Sequence, residues 1–244
     1  MAGRGAGPGP RIEGEPAYVL HARAFRESSQ LLEVFTPAHG RMGLMARGAK
    51  GGKGGGRAAV LQPFSPLLIS WQGSGELPQL TDVEPAGVAP RLLGDALMGG
   101  FYLNELLVQL LARGEPQPAL FGRYALCLSQ LASGEAMAWP LRCFERDLLQ
   151  ALGVALQIET DRHERPIEAE ARYRYLGEAG AQRLGVGEAD GVAGAALLAL
   201  QSDAAPAPAL LPPLRRLLRE ELKRHLHGRS LRSWGLMAEI EQLR

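Results

Sequence analysis

The sequence predicts an α+β protein, with an all-β N-terminal part followed by a helical part that carries a small irregular insertion. Two changes of hydrophobic period support this. From Ala17 onward, apolar residues come in short runs of period two, punctuated by glycine, proline and polar turns. Near Pro90 the spacing lengthens to about 3.6, the period of an amphipathic helix. A third stretch, residues 156–195, follows neither period and is read as an insertion between helices.

Residues 1–16 are rich in Gly and Pro and are expected to form a disordered lead. Residues 17–86 form the β part. Tyr18-Val19-Leu20-His21 reads as a first strand and Leu31–Thr36 as a second, with Glu27-Ser28-Ser29 between them. Pro37-Ala38-His39-Gly40 is a turn, and Arg41–Arg47 the third strand. After a glycine-rich loop, Ala59–Leu61, Leu67–Trp71 and Leu77–Val83 supply further β-type segments. About five short strands with tight turns and one long loop fit an OB-type barrel, a fold that binds single strands on an open face.

The helical part opens at 87–155. Leu92, Leu97, Phe101, Leu103, Leu106, Leu107 and Leu110 mark a long buried helix that ends at Gly114. A second helix is predicted from about Pro118 to Ala132. A third runs from Pro140, which suits a first helical turn, to Leu152. Within the insertion, Tyr173-Arg174-Tyr175 suggests one of two short strands. Residues 196–244 then supply the terminal helices, one beginning near Pro213 and the last from Ser230 to Leu243.

At 244 residues, with 46% hydrophobic and 22% charged residues, the chain has an ordinary globular composition. Its net charge is +1, so a basic function has to come from charge segregated along the chain. Cys127 and Cys143 lie in apolar helical patterns and read as buried, reduced thiols of a cytosolic protein. The lead lacks the apolar core of a secretory signal, and the longest apolar run, Val192–Leu200, is far short of the ~20 residues a membrane helix needs. These features predict a cytoplasmic protein without a membrane partner.

The most informative stretch is Arg41–Arg57, which contains Arg41, Arg47, Lys50, Lys53 and Arg57 and no acid. Basic side chains on a glycine loop can follow a polyanion without fixed register, although a plain solvated loop has the same composition. A phosphate-binding P-loop fails here. Gly48 and the Gly52-Lys53 pair are one residue too close, and Gly54 stands where the magnesium-binding hydroxyl belongs. The five histidines have no spaced Cys or acidic partners, and Ser28-Ser29 lacks a nucleophile-elbow frame, so no catalytic residue and no cofactor is predicted.

Several segments, in order, resemble the RecO family of bacterial DNA repair proteins. They are Tyr18-Val19-Leu20, Glu27-Ser28-Ser29, Leu31-Leu32, Phe35-Thr36, Gly40 and Ala46–Lys50. Leu61–Leu67, Phe101–Leu107, Leu141–Glu145 and Tyr173-Arg174-Tyr175 extend the likeness across residues 17–240. The resemblance implies a recombination mediator of the RecF pathway rather than an enzyme, nucleoid-associated in the cytoplasm. It implies binding to single- and double-stranded DNA, annealing of complementary strands, and association with RecR. It further implies help in loading RecA onto strands coated by the single-stranded-DNA-binding protein (SSB), through contact with the SSB C-terminal tail. Many members bind zinc in the insertion. This chain departs from them, with no cysteine there and His163 alone.

The DNA-binding residues expected are Arg23, Arg41, Arg47, Lys50, Lys53 and Arg57, with Arg26 extending the surface. Tyr18, Phe25, Phe35, Phe64 and Trp71 read first as core residues and only second as base-stacking ones. For the SSB tail, the resemblance points to Arg142, with Phe121, Tyr124 and Arg123 as neighbours; an ion pair of Arg142 with Glu145 is the structural alternative. The terminal-helix cations Arg215, Arg216, Arg219, Lys223 and Arg224 offer a second DNA-binding stripe, but Glu220 and Glu221 dilute their field and a solvated face is the favoured reading. An OB-type RNA- or ribosome-associated protein is the rival reading.

Overall fold

The computed structural model describes residues 9–48, 55–134, 137–185, 187–188 and 190–236. It divides into two compact units, Met1–Ala132 and Ser133–Arg244. In the first, β1 (Arg11–Phe25), β2 (Ser29–Thr36), β3 (Gly40–Ala46), β4 (Leu67–Gln72) and β5 (Gln79–Pro85) close into a barrel in the order β1-β2-β3-β5-β4. A short helix, α1 (Gly55–Val60), precedes β4; α2 (Asp95–Leu110) and α3 (Pro118–Ala132) follow β5.

Closure depends on the length of β1. Its second half pairs with β2, from Tyr18↔Phe35 to Phe25↔Ser29, and its first half pairs with β4, from Arg11↔Gln72 to Ala17↔Leu67. Register breaks between Ile12 and Glu15 and between Val19 and His21 bend the strand round the barrel. The expected disordered lead is corrected accordingly: Arg11–Pro16 is strand. Its Gly and Pro content argues against a strand, but β4 offers a free edge that this segment satisfies.

Inward positions alternate along β2, β3 and β4, and along β1 and β5 between their register breaks. Val19, Leu32, Val34, Leu44, Leu67, Ile69, Trp71 and Leu80 form one buried cluster, with Leu61 from the end of α1 packed into it. Ala59–Leu61 was expected as a strand, yet Ala59 and Val60 end α1 instead. A short apolar run does not distinguish the two periods, and two alanines favour helix.

The two helices after the barrel cover its outside at one end. Tyr18 and Phe35 point outward, and Phe121 and Tyr124 of α3 meet them with ring centroids 5.0 to 6.2 Å apart. Burying each aromatic side chain is worth about 1.5–3 kcal/mol, which accounts for α3 lying here. Buried Asn104 of α2 ties the layers together: its Nδ2 donates to the Leu20 carbonyl (2.9 Å) and its Oδ1 accepts from the Tyr124 hydroxyl (2.5 Å). In the structure α2 and α3 group with the barrel in the first compact unit. Helix α2 also stops at Leu110 rather than near Gly114, because 113–117 runs along the β2–β3 turn.

The second unit contains α4 (Ala138–Ala151), α5 (Gly194–Ser202) and α6 (Leu211–His225), with a small sheet in the order β7-β6-β8. Its strands are β6 (Arg172–Tyr175), β7 (Ala181–Arg183) and β8 (Val192–Ala193), one more than the sequence suggested. Phe144, Leu148, Leu197, Leu200, Leu214, Leu218 and Leu222 are fully buried in it. Arg146 holds the end of α5, donating to the Leu200 carbonyl and pairing with Asp203 at 2.6 Å. On α6, Lys223 pairs with Glu220 (2.7 Å) and Arg224 with Glu221 (3.4 Å), while the Arg219 guanidinium lies 4.5 Å from the Trp234 ring centroid. These two pairs compensate part of the charge of α6, whose cations outnumber its acids.

Candidate nucleic-acid interface

Strand register decides which side chains share the barrel's outer face. Ala22↔Leu32↔Leu44 is an inward row, so Arg23↔Leu31↔Met45 next to it points outward. Two residues further on, Phe25 and Ser29 are outward again, and the β1–β2 turn begins at Arg26. Arg23, Arg26 and Arg47 are exposed; Phe25, Leu31 and Met45 are half-buried. The result is an apolar floor across three strands, rimmed by three arginines.

Among the described residues of β2 and β3, one acid shares this face, and the exposed Glu27 stands beside Arg26 in the β1–β2 turn. His21↔Glu33↔Gly43 is the next outward row, and Glu33 is held between two arginines. Its Oε2 accepts from Arg41 Nη1 at 3.1 Å and its Oε1 from Arg113. With the Glu33 carboxylate neutralised, Arg23, Arg26 and Arg47 outnumber the remaining exposed acid of this wall, Glu27. The opposite wall has the other sign: Ser70↔Asp82 and Leu68↔Glu84 are outward pairs of β4 and β5, and both acids are exposed.

Arg41, expected on the DNA-binding surface, has a side chain 16% exposed; it pairs with Glu33, and its Nε donates to the Leu111 carbonyl at 3.0 Å, which anchors the chain leaving α2. Arg23 and Arg47 lie on the exposed rim. Arg57 falls in α1, and Lys50 and Lys53 lie outside the described residues.

The residues expected around the SSB tail have different surroundings. Tyr124 is fully buried, and burial pushes its hydroxyl pKa well above the ordinary phenol value. Phe121 packs on Tyr18 and Phe35, and Arg123 is half-buried on α3. Tyr124 thus belongs to the helix–barrel contact and presents nothing to a peptide. Arg142 lies on α4 in the second unit, 5% exposed, with an Nη2 donating to Glu145 Oε1 at 2.5 Å. Its Nε is buried without a hydrogen-bond partner among the described residues.

The insertion's residues do not fit a zinc site. Among the described residues, no group of three His, Cys, Asp or Glu side chains could hold a metal ion. The turn at 161–165 is closed by a carboxylate instead. Asp161 Oδ1 accepts from the backbone N–H of His163 (2.8 Å) and Arg165 (3.1 Å), and Oδ2 from Arg165 Nε (2.8 Å) and Nη2 (2.6 Å). The Arg165 hydrogen bonds hold the Asp161 carboxyl down from 3.8 to about 2. Backbone bonds from Arg162 to Ala181 (2.7 Å) then dock the turn onto β7. In the sequence, Asp161-Arg162-His163-Glu164-Arg165 reads as an ordinary polar loop, so nothing there marked this network.

The five-stranded order, with a helix between the third and fourth strands, defines an OB-type barrel joined to a helical unit. The model for the N-terminal part of recombination protein O matches residues 12–88, and the model for its C-terminal part matches residues 92–235. The chain is 46% identical over 234 residues to the DNA repair protein RecO of Xanthomonas campestris pv. campestris, covering 94% of this chain and 97% of that protein. It is 46% identical over 236 residues to the RecO of Nitrosococcus oceani, with 96% of each covered. With the RecO of Stenotrophomonas maltophilia it shares 44% over 234 residues, covering 94% and 98%. The chain belongs to the RecO family.

Proposed function

We propose that this protein is a DNA repair and recombination mediator that works without turnover chemistry. It binds single- and double-stranded DNA on the outer face of β1–β3, and it anneals complementary strands. With RecR, it helps load RecA onto SSB-coated strands in the RecF pathway, in the cytoplasm. The observation that carries this reading is the one-sided charge of the barrel. Arg23, Arg26 and Arg47 rim an apolar floor, Glu33 on that face is neutralised, and the acids Asp82 and Glu84 lie on the other wall. Annealing needs phosphates on two strands screened while base edges stay free, and arginines on a flat strand face can do that without base readout. No helix among the described residues is long and apolar enough to cross a membrane, which suits this site of action.

Arg142 is the candidate residue for contact with the SSB tail; its guanidinium is buried and paired with Glu145, so a tail carboxylate has to displace that pair to use its fork. Family membership supports this part of the reading; Tyr124 is not included. The test is strand annealing of complementary oligonucleotides, bare, coated with SSB, and coated with SSB lacking its C-terminal tail. The protein is expected to speed pairing in the first two cases without ATP, and to lose its effect in the third. Binding of strands with no annealing in any case would favour the rival reading, an OB-type RNA- or ribosome-associated binder.

A further inference from the structure

Phe25 stands apart from the other barrel aromatics. Tyr18, Phe35, Phe64 and Trp71 are 8%, 0%, 7% and 3% exposed and spent on packing. Phe25, the last residue of β1, is half-buried on the outward side. Its cross-strand partner is Ser29, too small to cover the ring. The Arg26 guanidinium lies 5.2 Å from the ring centroid, within cation–π range. Arg26 has a φ of +54°, the left-handed conformation that turns the chain out of β1. Leu31 and Met45 extend the apolar floor from Phe25 across β2 and β3, with Arg23 and Arg47 exposed beside it.

An aromatic ring held beside a cation, on a face where Glu33 is neutralised, complements a strand that offers both phosphates and unstacked bases. A duplex offers only the phosphates, because its bases are stacked on one another. We propose that Phe25, with Arg26 against it, is a base-stacking platform for a single-stranded polynucleotide, and that it gives the barrel its preference for single over double strands. The proposal rests on the nucleic-acid reading above and assigns its discriminating residue. Arg23, Arg26 and Arg47 bind either form through phosphates; Phe25 adds only to the single strand.

The test measures affinity of the full-length chain for a mixed-sequence single strand of DNA, the same sequence as RNA, and a blunt DNA duplex, at one salt concentration. Base–aromatic stacking is worth roughly 1–3 kcal/mol per base, so Phe25→Ala is expected to weaken single-strand binding about tenfold or more. Duplex affinity should stay within about twofold. Phe25→Leu, which keeps the apolar floor and the fold, should show the same selective loss, and Phe25→Trp should restore binding. The loss should extend to RNA, because stacking does not use the 2′-hydroxyl. An equal loss on single strand and duplex, a loss on RNA alone, or an unchanged single-strand affinity in Phe25→Leu would overturn the proposal. A wild-type chain that binds no nucleic acid would instead overturn the reading on which it rests.

Discussion

Replacing Arg23, Arg47, Lys50, Lys53 and Arg57 together with alanine is expected to reduce single-strand affinity on the order of 10³-fold at 0.1 M salt. Each phosphate neutralised on a single strand contributes a slope of about 0.7 in log affinity against log salt, so five contacts account for about 3.5 units. Arg23→Ala with Arg47→Ala alone should lower the slope by about 1.4 units. The two arginines are exposed on the wall where Glu33 is already neutralised. Titration of a labelled oligonucleotide across a salt series reads both numbers. An unchanged slope in the double variant would remove the outer face of β1–β3 from the DNA site.

Gly40→Ala is expected to destabilise the first unit by about 2–6 kcal/mol, combining left-handed strain with overpacking. A domain holds only about 5–15 kcal/mol, so this is a large share. Gly40 has φ +59°, and a Cβ added there would lie 1.8 Å from the Glu115 carbonyl oxygen. The segment it would displace is pinned to the β2–β3 turn by Gly114 N–H to the Arg41 carbonyl and Gln117 N–H to the Pro37 carbonyl, both 3.0 Å. It leads directly into α3, which covers Tyr18 and Phe35. Gly48→Ala is the control: its φ is +64°, but nothing among the described residues stands within 4 Å, so the conformational cost alone is expected. Urea unfolding compares the two, and equal midpoints would contradict the packing described for 113–117.

What the sequence disclosed follows from what is local. Alternation along β2 and β3 and the helical spacing of Leu120, Tyr124, Cys127, Leu128 and Leu131 depend on near neighbours, and α3 spans the expected Pro118–Ala132. The first half of β1 was hidden because its strand character comes from β4, more than fifty residues away. Arg41 looked like one more cation of a basic run. Its partners are Glu33 across the sheet and the Leu111 carbonyl seventy residues on, and no period reveals either. Phe25 is the opposite case. Sequence alone could not separate it from Tyr18 and Phe35, and only the register shows that its neighbour is Ser29 rather than a helix.

The central claim, that nucleic acid lies across the outer face of β1–β3, is tested most directly by hydroxyl-radical footprinting of the full-length chain with and without single-stranded DNA. Phe25, Leu31 and Met45 are reactive side chains on the proposed floor, while Leu68 reports on the outer side of β4. The expected result is that DNA protects the first three and leaves Leu68 unchanged. Protection of Leu68, with Phe25 and Met45 still fully reactive, would contradict it.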